Sequence, residues 1–383
     1  MPNFSGVWNL NDQVQAAAAY RWPGAVRAQP LYAWGRNGFG QIGDNNLVYR
    51  SSPVQVGGLT SWSEVAAGYG HTAAVKTDGT LWAWGRNNNG QVGDNTVVNT
   101  SSPAKIGALT NWSKVAAGFA HTAAVKTDGT LWAWGRNNKG QLGDITVSYK
   151  SSPIQVGVLT NWSQVATGEA HTATIKTDGT LWTWGYNSRG QIGDNTTIDR
   201  SSPVQVGSLT NWSQIVTGFT HTAALKADGT LWAWGNNAGG SVGDNTTVYK
   251  SSPVQIGSLT NWYQISAGNF HNASIKTDGT MWTWGYNAYG QIGDNTTISR
   301  SSPVQVGSLT NWFKVAGGGG QIASIKTDGT LWAWGKNGNG QVGDNTTTYK
   351  SSPVQIGALT TWLELARGPR ANHTLATTYG SSS

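Results

Sequence analysis

The chain has 383 residues, 11% of them charged, with a formal net charge of +7 and no cysteine. That excess is too small and too scattered for the electrostatic footprint of a nucleic-acid binder, and the missing thiols exclude disulfides, thiolate zinc sites and cysteine nucleophiles. No stretch approaches the roughly 20 apolar residues that a bilayer span requires, so membrane insertion is not expected, and the start carries no secretory-signal pattern.

Residues 1–25 read differently from everything after them. Asn9 or Asn11 can cap a helix through Leu10, Val14, Ala16 to Ala19 and Tyr20, which Trp22-Pro23 would stop. So short a helix needs something to dock on. The stretch Ser5-Gly-Val-Trp-Asn-Leu-Asn-Asp-Gln-Val-Gln15 with Tyr20-Arg-Trp-Pro23 resembles N-terminal segments of tailed-bacteriophage structural proteins. The resemblance implies an anchor to other virion proteins, carried by Val7, Trp8, Leu10, Val14, Tyr20 and Trp22. The competing reading is a helix packed on its own domain.

From residue 26 to 379 the chain is a tandem array. Trp-Gly recurs at Trp34, Trp84, Trp134, Trp184, Trp234, Trp284 and Trp334, every 50 residues, and a second tryptophan follows the same period from Trp62 to Trp362. Within one module Val115-Ala-Ala117 and His121 to Lys126 read as strands, and Asp128-Gly129 reads as a two-residue hairpin with positive φ at both positions. Leu131-Trp-Ala-Trp-Gly135 is the paired strand, Gly140 to Asp144 is a glycine-rich turn, and Pro153 to Val156 is a fourth strand whose leading proline suits an edge. Four antiparallel strands in each of seven repeats predict an all-β, seven-bladed propeller. Leu31 to Gly35 begins mid-blade and His373 to Thr378 ends where the next Leu-Trp-Ala-Trp would start, so the two termini are expected to complete one blade and close the ring. The tail, 380–383, is expected to be disordered.

The recurring Gly-x-x-His-Thr-Ala-Ala, Asp-Gly-Thr-Leu-Trp-Ala-Trp-Gly and Gly-Gln-x-Gly-Asp resemble the regulator of chromosome condensation repeat family over about residues 26 to 378. The resemblance implies a rigid disc that binds protein partners, but no single activity, because fold does not fix function. Its photoreceptor branch places sensing tryptophans after the glycine of Gly-x-x-His. Here those slots hold Tyr69, Phe119, Glu169, Phe219, Asn269, Gly319 and Pro369, so light sensing by that route is not expected.

Twenty of the 22 tryptophans fill three recurring slots and are read as inter-blade core. His71, His121, His171, His221 and His271 share one slot, with Gln321 in the sixth copy; spread around a ring, they are read as structural rather than metal ligands. Thirteen of the 18 acidic residues sit in the Gly-Asp turn or the Asp-Gly hairpin. Only Asp12, Glu64, Glu169, Asp199 and Glu364 remain, with no local pairing that suggests acid–base work. No nucleophile–base arrangement, metal or cofactor is expected, and the chain is read as non-enzymatic.

Slots that vary between copies are free to carry recognition. One tier follows the recurring glycine and includes Tyr69, Phe119, Glu169, Phe219 and Phe270. A second follows the Trp-Gly strand, with Arg36, Arg86, Arg136, Tyr186, Tyr286 and, three residues on, Phe39 and Tyr289. A third precedes Ser-Ser-Pro, as in Tyr49-Arg50 and Tyr149-Lys150. Tyrosine and arginine bury large areas while keeping a polar handle, which suits binding; the alternative is ordinary solvated loop. Two functions follow. In the first, the protein is displayed on a phage particle, with loops touching a host-surface protein or glycan. In the second, it is a soluble cytoplasmic or secreted adaptor, inhibitor or exchange-factor-like regulator that binds protein.

Overall fold

A computed structural model describes residues 29–379. The helix and anchor expected within residues 1–25, with Val7, Trp8, Leu10, Val14, Tyr20 and Trp22, and the tail expected to be disordered at 380–383 lie outside that range. The described chain forms 28 strands in seven four-stranded antiparallel sheets. Blade 1 consists of β3 (Trp62–Ala67), β4 (His71–Lys76), β5 (Leu81–Gly85) and β6 (Thr100–Lys105), and blades 2 to 6 repeat it. The first strand of each blade packs against the first strand of the next around a central channel.

The seventh blade is made by both ends of the chain. β1 (Leu31–Gly35) pairs along its whole length with β28 (His373–Thr378), flanked by β2 (Arg50–Gln55) and β27 (Trp362–Leu365). This seam occupies both edges that an open array would leave unpaired. The fourth strand lies outermost in every blade and carries its proline there, as in Lys150–Gln155, where one missing ladder donor is tolerated.

Burial follows the module. Leu81, Ala83 and Trp84 are wholly buried, whereas Trp82 is only half-buried. Trp82 and Trp84 do share one side of the strand, each packing edge-on or tilted against Trp62, at 6.2 and 5.9 Å between ring centroids. Trp82 differs because it lies at the rim, where Lys76 sits over its ring at 5.8 Å. In the other complete blades the lysine comes closer, as with Lys126 at 3.7 Å from the Trp132 centroid. There the ammonium rests on the aromatic face instead of standing free.

The Asp-Gly hairpin departs from the expected two-residue turn. Lys76 N–H donates to the Thr80 carbonyl and Gly79 N–H to the Lys76 carbonyl, leaving Thr77, Asp78 and Gly79 as a three-residue loop. Of these only Gly79 has positive φ, at 75°. The Asp78 carboxylate is committed locally, accepting from Thr80 N–H at 3.0 Å and Thr80 Oγ1 at 2.6 Å, and this side-chain turn holds it out of the left-handed region.

Candidate functional site

The histidines belong to a belt that joins blade to blade. His71 Nε2 lies 2.9 Å from Thr122 Oγ1, and the same contact recurs at His121–Thr172 and His171–Thr222, as His221–Asn272, and across the seam as His373–Thr72. Thr122 Oγ1 spends its proton on the Gln91 carbonyl at 2.7 Å, and Trp134 Nε1 donates to that same oxygen at 3.0 Å. His71 Nε2 must therefore carry its proton and donate, which leaves Nδ1 as the bare nitrogen. Among the described residues Nδ1 has no partner. A second proton there would be buried without an acceptor, and burial holds His71 down to about 3, as it does His121, His171, His271 and His373. His221 is held at about 4 because Asn272 opposes the desolvation. In the sixth blade Ile322 replaces the threonine, and His271 Nε2 loses its partner.

Close approach fixes the glycines of this belt. A Cβ on Gly43 would lie 2.5 Å from Trp84 Nε1 of the next blade. The acidic residues of the Gly-Asp turns are equally committed. Asn37 gathers its loop by donating to Asp44 Oδ1 and the Val48 carbonyl, while Arg50 binds Asp44 at 2.7 Å. The same ion pair recurs as Lys150–Asp144, Arg200–Asp194, Lys250–Asp244, Arg300–Asp294 and Lys350–Asp344. The cations of the third variable tier are thus framework, and only their tyrosine neighbours, such as Tyr49 and Tyr149, stand exposed.

The first two tiers meet on one face of the disc, because the turn after the inner strand and the loop after the Trp-Gly strand leave the sheet at the same end. Each inner turn hydrogen-bonds to the next blade around the channel, with Tyr69 N–H donating to Gly118 O and Phe119 N–H to Gly168 O, both at 3.1 Å. Tyr69 and Phe119 pack at 4.8 Å, and Phe219 meets Phe270 edge-on at 5.5 Å. Over them lies Arg370, its guanidinium 4.0 Å from the Phe219 centroid, 4.8 Å from Phe119 and 5.3 Å from Tyr69. Arg36 donates to the Tyr69 hydroxyl at 3.1 Å and shares the Phe39 ring with Arg86. Glu169 sits in the field of Arg370 and Arg136, yet burial raises its pKa. The structure therefore brings Tyr69, Phe119, Glu169, Phe219, Phe270, Arg36, Arg86 and Arg136 into one half-buried mouth.

The remaining site residues form separate patches. Tyr289 lies 6.1 Å from Tyr286 and 5.4 Å from Tyr349, with Lys336 at 5.3 Å over its ring. The Lys139 ammonium lies 5.1 Å from the centre of the Tyr186 ring. Arg370 is absent from the residues singled out in the sequence, although a readable sign of its place existed. Between the recurring glycine and histidine, blades 1 to 5 have two residues, whereas the seventh has Pro369-Arg-Ala-Asn372, and the extra length carries Arg370 across the channel.

These features define a ring-closed propeller built from a tryptophan- and histidine-bearing repeat. The chain matches the RCC1-like domain over residues 110–381 and the regulator of chromosome condensation (RCC1) repeat over 30–75 and 78–125. It belongs to the RCC1-like domain family. Among solved structures, human WBSCR16 is 20% identical with a TM-score of 0.84, over 93% of this chain and 100% of that one. Prp20p from Saccharomyces cerevisiae, whose structure is described with its binding properties to Gsp1p and histones, is 22% identical with a TM-score of 0.82, over 94% and 93%. Such identities speak for the fold. No curated protein matches the chain in sequence.

Proposed function

We propose that the protein is a non-enzymatic, soluble binding scaffold that recognises an acidic protein surface through the mouth around Arg370. The observation that carries this reading is the cation seated on Phe219, Phe119 and Tyr69. Arg36, Arg86, Arg136 and Arg370 surround the mouth against the single carboxylate of Glu169. Aromatic anchors ringed by arginine give a partner apolar area at the centre and charge complementarity at the rim. The acidic framework residues are tied into turns and ion pairs, which supports a role without acid–base chemistry.

Virion display rests on residues 1–25, and the family matches and solved structures above include no virion protein, so the adaptor or regulator reading is the better supported of the two. The test is affinity capture with the full chain and a Phe119→Ala, Phe219→Ala, Arg370→Ala variant, followed by quantitative mass spectrometry. The expected result is a partner held by the parent, weakened by salt and lost from the variant. Equal capture by both removes the mouth from the reading. Saturable glycan binding that is lost in Phe119→Ala or Tyr289→Ala would transfer the reading to a sugar receptor.

A further inference from the structure

The inner strands enclose a cavity of about 410 Å3 along the ring axis. It is lined by small or aliphatic side chains such as Ala116, Ala166 and Val216, and it bottoms on Gly368 and Pro369 beneath the mouth. At the last inner-strand position the first six copies carry Ala67, Ala117, Thr167, Thr217, Ala267 and Gly317. The seventh carries Arg367, with its backbone tied to the first blade by the bridge to Ala66 and by Ala67 N–H donating to its carbonyl at 3.1 Å.

Arg367 is a long cation in a slot that is otherwise small, and it lines this cavity. Among the described residues its guanidinium makes no ion pair and donates no hydrogen bond, although its surface is open to the lumen. The carboxylates above it are already spoken for. Glu64 pairs with Lys114 and Glu364 with Lys314, each across one blade boundary. Arg367 is thus the uncompensated charge of the well. The guanidinium is exposed to the lumen, and the two glutamates nearest it are held by lysines, so an anion in the well would supply the partner it lacks.

We infer that the central well is an oxyanion-binding site, in which Arg367 receives a carboxylate or phosphate group by paired N–H donation. A planar guanidinium fork matches both groups. The cavity is larger than a bare ion requires, which suits a small polyanion or the carboxylate end of an extended chain. This inference does not depend on the mouth, which is formed by other side chains, on the turns that follow the inner strands.

The test is calorimetric titration of the full chain at constant ionic strength, with chloride as the balancing anion. The probes are inorganic phosphate, citrate, and one short peptide offered with a free and with an amidated C-terminus. Saturable binding of any probe is expected to weaken at least tenfold in Arg367→Ala, partly recover in Arg367→Lys and persist in Arg370→Ala. Binding of phosphate or citrate identifies a free oxyanion as the occupant; binding confined to the free-acid peptide identifies a chain end. Melting curves in chloride confirm that each variant folds, and Arg367→Gln replaces the alanine variant if that one does not. Failure of every probe to saturate, or undiminished binding by the folded Arg367 variants, overturns the inference.

Discussion

The belt between blades and the mouth over the channel are built from the same module, yet they answer to different constraints. In the belt each side chain is tied to the next copy, as Trp134 and Thr122 both are to the Gln91 carbonyl, so a change in one copy leaves a neighbour unpaired. The mouth tolerates Tyr69, Glu169, Asn269 and Gly319 in one slot, because the turn that holds them is bonded through its backbone. Sequence freedom therefore marks where side chains do not hold the ring together.

Acid separates the two regions most sharply. The folded histidines sit at about 3, or about 4 for His221, below their ordinary value near 6.5, so between these limits the unfolded chain binds more protons. Stability is complete above about pH 6.5 and falls with decreasing pH, by up to about 1.4 kcal/mol per pH unit for each histidine. Six such residues should unfold the disc cooperatively between about pH 6 and 4, against a typical total of about 5–15 kcal/mol. A circular dichroism titration checks this, and a flat signal to pH 4 would show that the belt tolerates charge. Removing a belt side chain comes next. Trp84→Ala should cost about 3–5 kcal/mol in a denaturant melt, through lost burial and an emptied site beside Gly43.

Thr122→Ala should cost about 1–3 kcal/mol, because it orphans His71 Nε2. In the mouth, Arg370→Ala should cost no more than about 1–2 kcal/mol of partly solvated cation–π contact while abolishing partner capture. The smallest effect sharpens the comparison from the other side. Ile145 occupies a left-handed position, φ 61°, where other copies place asparagine, and it is 80% exposed. Ile145→Asn should gain about 1 kcal/mol, read as a rise in melting temperature.

Much of this fold was legible because the period exposes it. The strands His121–Lys126 and Leu131–Gly135 fall where the pattern places them, and the split blade follows from where the array starts and stops. The hairpin was misread because Asp-Gly alone does not reveal that Thr80 captures the aspartate. The convergence of the tiers on one face depends on strand direction, and the pairing of Arg50 with Asp44 crosses a folded loop. The two arginines on which the proposals rest, Arg367 and Arg370, announce themselves only as departures in the seventh copy. Their significance required knowing that its inner strand lines the channel.

The central claim is that belt residues hold the ring closed and mouth residues do not, and paired thermal melts at pH 7.5 test it most directly. Thr122→Ala and Trp84→Ala should each lower the midpoint by several degrees, whereas a combined Phe119→Ala, Phe219→Ala, Arg370→Ala variant should fall by less than Trp84→Ala alone. A mouth variant that unfolds as readily as the tryptophan variant would show that Arg370 and its rings cement the seam, and would contradict the account.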